Sequence, residues 1–134
     1  MTVQANSQSQ DYQLLRGALR GNSIFSTLSG VLFLLASGTV ASFLGAIPVW
    51  IILALGVGLL GFAALVFMTA NQSPLNRQMV QGIIVGDVLW VVASWILLFS
   101  DLVTFTTAGW WAVAVVADIV LVFAILQGVG LRRR

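Results

Sequence analysis

Two carboxylates sit inside apolar runs. Asp87 lies in QMVQGIIVGDVLWVVASWILLFSD and Asp118 in GWWAVAVVADIVLVFAILQGVG. Hydrocarbon penalises an ionised carboxylate, so an acidic residue placed there marks proton, ion or ligand chemistry by default. The chain contains no Lys, His or Glu, and its six Arg residues all fall outside the apolar runs. No cationic side chain can therefore reach the middle of either run. A carboxyl in that setting must accept hydrogen bonds from neutral donors, meet a cationic or polar ligand, or act in its acid form as a donor between helices.

Helical geometry sets the depth of both residues. Asp87 is roughly 12 Å from the start of its run, and Asp118 roughly 14 Å from the start of the next, in a hydrocarbon core of about 30 Å. Both are expected near the midplane. Because a short link joins the two runs, they should pack as antiparallel neighbours, which allows their carboxyls to face each other. Asp87 shares a face with Trp90, Val91 and Ser94, and Asp118 shares one with Trp111, Ala114 and Val122. Indole N–H groups and a hydroxyl can donate to a carboxylate. The first run adds a stripe of Ser26, Ser29, Gly30, Phe33 and Ser37, whereas the second has no polar side chain between Trp50 and Thr69. The polar interior is thus expected among the first, third and fourth runs. The candidate ligand-binding residues are Asp87, Asp118, Trp90, Trp111, Ser94 and Ser37.

Other chemistry finds little support. Without Cys there is no disulfide, thiolate metal site or cysteine nucleophile. Without His there is no imidazole base and no histidine ligand for haem or zinc. No cofactor and no metal is expected. A pI near 10.6 reflects six Arg against four Asp, with no basic stripe to follow a phosphate backbone, so nucleic acid is not an expected partner.

Two families share limited features with the chain. In size and number of apolar runs it resembles the small multidrug resistance transporters. Those proteins use a Glu in their first helix, and this chain has none, so their residues do not carry over. The fragment Val115-Val116-Ala117-Asp118-Ile119 resembles the second Asp motif of signal peptidase II, an intramembrane aspartyl protease. That family's first motif, a Gly-Asn followed three residues later by Asp-Arg, is replaced here by Gly86-Asp87-Val88-Leu89-Trp90.

The elements that must position these residues follow from composition. At 60% hydrophobic and 7% charged, with mean hydropathy +1.05, the chain departs sharply from a soluble domain, which carries about 25% charged residues. Four segments suit a bilayer span of about 20 residues: 24–44, 47–70, 79–100 and 109–129. The expected fold is all-α, an antiparallel bundle of four transmembrane helices in a lipid bilayer. Residues 1–23 are expected to form a polar tail with a short amphipathic interfacial helix over 11–20, where Tyr12, Leu15 and Leu19 share a face. A frayed extension of the first span is the alternative there. Gly21-Asn22-Ser23 predicts a break and an N-cap. The first apolar run exceeds a signal h-region, so it is expected to stay as a membrane helix.

Charge placement predicts orientation. Arg16 and Arg20 precede the first span, Arg77 lies between the second and third, and Arg132, Arg133 and Arg134 follow the fourth. All six then share one side. The positive-inside rule places both termini in the cytoplasm, in the cell inner (plasma) membrane. Trp110 and Trp111 suit the opposite interface.

Val31–Ser37 (VLFLLAS) aligns with Val88–Ser94 (VLWVVAS) in a register that also pairs Arg20 with Arg77, Gly30 with Asp87 and Gly61 with Asp118. This reads as a duplicated helical hairpin, against chance matching of apolar segments. Gly82 and Gly86, and Ala54 and Gly58, are small-xxx-small pairs that permit close helix approach. They suit packing within the bundle, or a homo-oligomer or membrane-protein partner through Gly82 and Gly86. The expected function is non-enzymatic: an acidic midplane site that binds or translocates a proton or a small cationic or polar ligand. An accessory subunit of a larger membrane complex is the alternative, and an intramembrane aspartyl protease a lesser one.

Overall fold

A computed structural model describes residues 2–72 and 74–132, with side chains from Gln13 onward. The side chain of Tyr12, Ser73 of the middle link, and Arg133 and Arg134 lie outside the described residues. The described residues form five helices: α1 (Thr2–Leu35), α2 (Ser37–Leu44), α3 (Val49–Ala70), α4 (Arg77–Phe99) and α5 (Thr107–Arg132). Four of them, counting α1 from Gln13, are long and apolar enough to cross a membrane. The chain is a multi-pass, all-α membrane protein built as a four-helix bundle.

Its partition of residues is that of a lipid-solvated protein. Leu35, Phe99, Leu102, Leu28 and Trp50 are exposed, whereas Asn22, Thr69 and Gln127 rank among the most buried side chains. Water would reverse this arrangement; in a bilayer, apolar side chains lose nothing by facing outward, and polar groups must find partners inside.

The first span differs from the sequence expectation. No break occurs at Gly21-Asn22-Ser23, and α1 continues through these residues as one helix. Asn22 and Ser23 are buried and hydrogen-bonded to other helices, so tertiary partners replace the N-cap role. Leu15 and Leu19 are fully buried, which makes residues from Gln13 part of the bundle and not a separate interfacial helix. The interruption comes later. Ala36 leaves helical geometry at φ −125° and ψ 37°, just before Ser37-Gly38, a Ser/Gly pair of the kind that bends helices.

Around the bundle, α1 packs on α3 and α5, and α4 packs on α5. The α1–α3 crossing is a backbone contact. A Cβ at Gly30 would lie 2.9 Å from Leu60 Cγ and 3.1 Å from the Gly56 carbonyl oxygen. At the arginine end, Leu15, Leu19, Val66, Val80 and Ile83 pack with Ala70, Leu75 and Leu131 into one apolar core. At the other end the two links are zipped together. The Ala46 N–H donates to the Thr104 carbonyl at 3.1 Å and the Thr106 N–H to the Leu44 carbonyl at 2.9 Å. Gly45 permits this approach: its φ is +145°, and a Cβ there would collide with the Thr104 carbonyl.

The two hairpins, α1–α3 and α4–α5, bury matching positions when Arg16 is set on Arg77. Leu19, Asn22, Ser26 and Gly30 of α1 then coincide with Val80, Ile83, Asp87 and Val91 of α4, all buried. Gly56, Ala63, Val66, Thr69 and Ala70 of α3 coincide with Ala117, Ala124, Gln127, Gly130 and Leu131 of α5. This register differs by about one helical turn from the one that pairs Arg20 with Arg77. Burial also coincides in the register of VLFLLAS on VLWVVAS, where Ser26, Gly30 and Ala63 meet Ile83, Asp87 and Val120, so burial does not choose between the two registers. One seam breaks the symmetry of the bundle: α1 and α5 pack along their length, whereas α3 and α4 touch only locally.

Candidate functional site

Asp87 is 3% exposed and lies at the junction of three helices. Asn22 of α1 donates through Nδ2 to Asp87 Oδ2 at 2.8 Å, and Gln127 of α5 donates through Nε2 to the same oxygen at 2.8 Å. Asn22 Nδ2 also reaches Gln127 Oε1 at 3.0 Å, and Ser26 Oγ donates to Asn22 Oδ1 at 3.3 Å. Four side chains from α1, α4 and α5 thus form one directed network that ends on the carboxyl.

The reason for this convergence is local. Asn22 and Ser26 stand one turn apart on a helix that does not break, so both face inward. Gln127 belongs to the buried stripe Ala117, Val120, Ala124, Gln127 and Leu131 of α5. Neutral amides meet the demand that a buried carboxyl places on its surroundings, because each donates strongly without bringing a charge into hydrocarbon.

Both amides act on Oδ2. Oδ1 accepts no hydrogen bond from the described side chains, and Asp87 lines a large cavity. That cavity has a volume of about 1070 Å³ and fills the half of the bundle away from the arginines. Ser26, Ser29, Phe33, Trp90 and Ser94 also line it, and no basic side chain among the described residues does. The indole Nε1 of Trp90 is buried and has no hydrogen-bond partner among the described residues. Ser94 Oγ donates to the Trp90 carbonyl of its own helix at 2.7 Å, so neither Trp90 nor Ser94 donates to Asp87.

The other expected residues lie elsewhere. Asp118 is exposed on α5 and does not face Asp87. It directly follows the buried Ala117, and one residue turns a helix by about 100°, which carries Asp118 off the packed face. The two carboxyls therefore form no pair, and the geometry for aspartyl dyad chemistry is missing. Trp111 is 62% exposed and sits edge-on to Trp110 at 5.2 Å, within an aromatic cluster that includes Trp95 and Phe99. Ser37 begins α2 and does not contribute to the cavity wall.

Gly82 has open space where a Cβ would be, whereas a Cβ at Gly86 would lie 3.3 Å from Phe62 Cε1. The two glycines thus do not form one smooth outward face. Gly58 is also unpacked; close helix approaches occur instead at Gly30 and Gly56, and at Gly109 and Gly130.

Asn22 and Gln127 were not among the expected site residues. Asn22 resembles a cap beside Gly21 and Ser23. Gln127 stands close to the end of its apolar run, where a polar residue has an ordinary interfacial reading. The signal for Gln127 was its isolation: it is the sole amide in the stretch from Gly109 to Val129. No family model, curated protein or solved structure matches the chain.

Proposed function

We propose that this membrane protein binds or translocates a proton or a small cationic or polar ligand, and that Asp87 is the group that receives it. One observation carries the reading. Asp87 is held by two neutral amides through Oδ2, while its Oδ1 takes no bond from the described side chains beside a large cavity. A carboxyl with a purely structural role would be expected to spend both oxygens on interhelical bonds, since unsatisfied acceptors in hydrocarbon are costly. The fixed amides orient the carboxyl, and neither titrates, so Asp87 alone would change charge.

The proposed orientation puts both termini in the cytoplasm, with the zipped links on the far side. It rests on the gathering of Arg16, Arg20, Arg77 and Arg132 at one end of the bundle and on the positive-inside rule.

Infrared spectroscopy of the protein in bilayers tests the site, comparing wild type with Asp87→Asn and Asp118→Asn. Spectra are recorded from about pH 5 to 9, and a carboxyl C=O band that responds to pH or to added cations and disappears only in Asp87→Asn is the expected result. A band that ignores pH and added cations across that range would leave Asp87 a sealed structural group, and an accessory-subunit role would then be the better reading.

A further inference from the structure

A groove on the lipid-facing side of the bundle runs from an arginine that has no partner among the described residues. The structure extends the first span back to Gln13, so Arg16 and Arg20 fall inside it. Arg16 spends a donor on the Ala70 carbonyl at the end of α3. Arg20 stands one turn deeper, by about 6 Å, and is exposed, with no hydrogen bond or ion pair among the described residues. A cation that faces hydrocarbon at this depth is costly unless an anion meets it. Helical side chains lean toward the N-terminus, which for α1 is the arginine end, so a side chain of this length reaches back to headgroup level.

Arg20 shares a face of α1 with Ile24, Thr27 and Leu28. Those three residues, with Leu60, Ala64 and Phe67 of α3, line a groove of about 470 Å³ between the two helices. At its floor Ser23 Oγ donates to the Ala63 carbonyl at 3.0 Å, and Thr27 Oγ1 donates to the Ser23 carbonyl at 2.8 Å. Both hydroxyls are thus used within the protein, and the groove offers an apolar surface. From Arg20 to Leu28 is about 12 Å along the helix, within the roughly 15 Å of hydrocarbon in one leaflet.

We infer that this groove holds an acyl chain of an anionic phospholipid, with the headgroup phosphate on Arg20. Guanidinium geometry matches phosphate oxygens, and the chain below the phosphate matches the apolar groove. Charge selects the headgroup. The described carboxylates are Asp87 inside the bundle, Asp101 in the link at the other end, and Asp118 toward that end of α5. None stands at the mouth of the groove to receive the ammonium of a zwitterionic lipid. The groove shares no lining residue with the Asp87 cavity, so this site stands apart from the proposed function.

Native mass spectrometry of the purified full chain, titrated with palmitoyl-oleoyl phosphatidylglycerol or phosphatidylcholine, tests the site. Phosphatidylglycerol is expected to bind about fivefold tighter, the scale of one basic residue at an anionic surface. Arg20→Gln should reduce it to the level of phosphatidylcholine, whereas Arg132→Gln, at the end of α5, should keep the preference. Ala64→Trp would fill the groove, and should weaken both lipids while leaving their ratio unchanged. Arg20 and Ala64 are exposed, so neither change removes a packed group.

Equal affinity for the two lipids, a preference that survives Arg20→Gln, or one lost equally in Arg132→Gln would overturn the inference. Undiminished binding in Ala64→Trp would do the same. So would displacement of the lipid by glycerol 3-phosphate at comparable concentration, which would assign Arg20 to a soluble phosphate.

Discussion

Arg16 and Arg77 make the same contact in the two halves of the molecule. Arg16 Nη1 donates to the Ala70 carbonyl at 2.6 Å, and Arg77 Nη1 donates to the Leu131 carbonyl at 3.3 Å, each across 54 residues of chain. Each guanidinium thus reaches the carboxyl end of its antiparallel partner helix, where terminal carbonyls lack intrahelical donors and the helix dipole favours positive charge.

Removing these ties should be unequal in cost. Arg16→Gln is expected to destabilise by about 1–2 kcal/mol, the scale of a charged hydrogen bond at a partly buried site. Arg77→Gln should cost less than about 1 kcal/mol, because its bond is longer and its side chain is exposed. Reversible unfolding in mixed micelles compares the two, and a larger effect at Arg77 would contradict the ranking.

Glycine replacements should separate packed from open positions. Gly30→Val and Gly56→Val each force side-chain carbons into Leu60, Leu34 and facing backbone, for a loss of about 1–3 kcal/mol. Gly82→Ala meets nothing and should be neutral or slightly stabilising. Melting of the detergent-solubilised protein reads out all three.

The polar network should behave as a unit. Asn22→Ala and Gln127→Ala both remove a donor from Asp87 Oδ2, and they also remove a bond to each other. A double-mutant cycle is expected to give a coupling of about 1 kcal/mol, within the range measured for interhelical bonds in membranes. Strict additivity would show that the three side chains act separately.

Trp90→Phe should leave stability within about 0.5 kcal/mol of wild type, because the indole N–H has no partner to lose. The same change should weaken ligand binding. A variant that unfolds readily would mean that the indole has a structural role.

Much of the fold was legible because its signals are redundant. Four apolar runs, and the six arginines that all fall outside them, mark the same spans and links. The inward face of α4 was legible as well: Asp87 and Ser94 share it, and both are buried. Asp118 was not, because a residue's neighbours in sequence do not say which side of a helix its partners will cover. Ala117 and Asp118 differ by one step, and packing against α1 and α4 chose Ala117. Asn22 shows the opposite failure. Its local chemistry favours a cap, and only the distant Asp87 and Gln127 make it an interior residue. The cavity could not be read at all, since it depends on how loosely α3 and α4 meet.

The apolar core at the arginine end also fixes what the molecule is electrically. Leu15, Leu19, Val66, Val80 and Ile83 are each at most 1% exposed and leave no wet path beneath Asp87. An ion crossing the whole bundle through the cavity would therefore need this apolar core to part first.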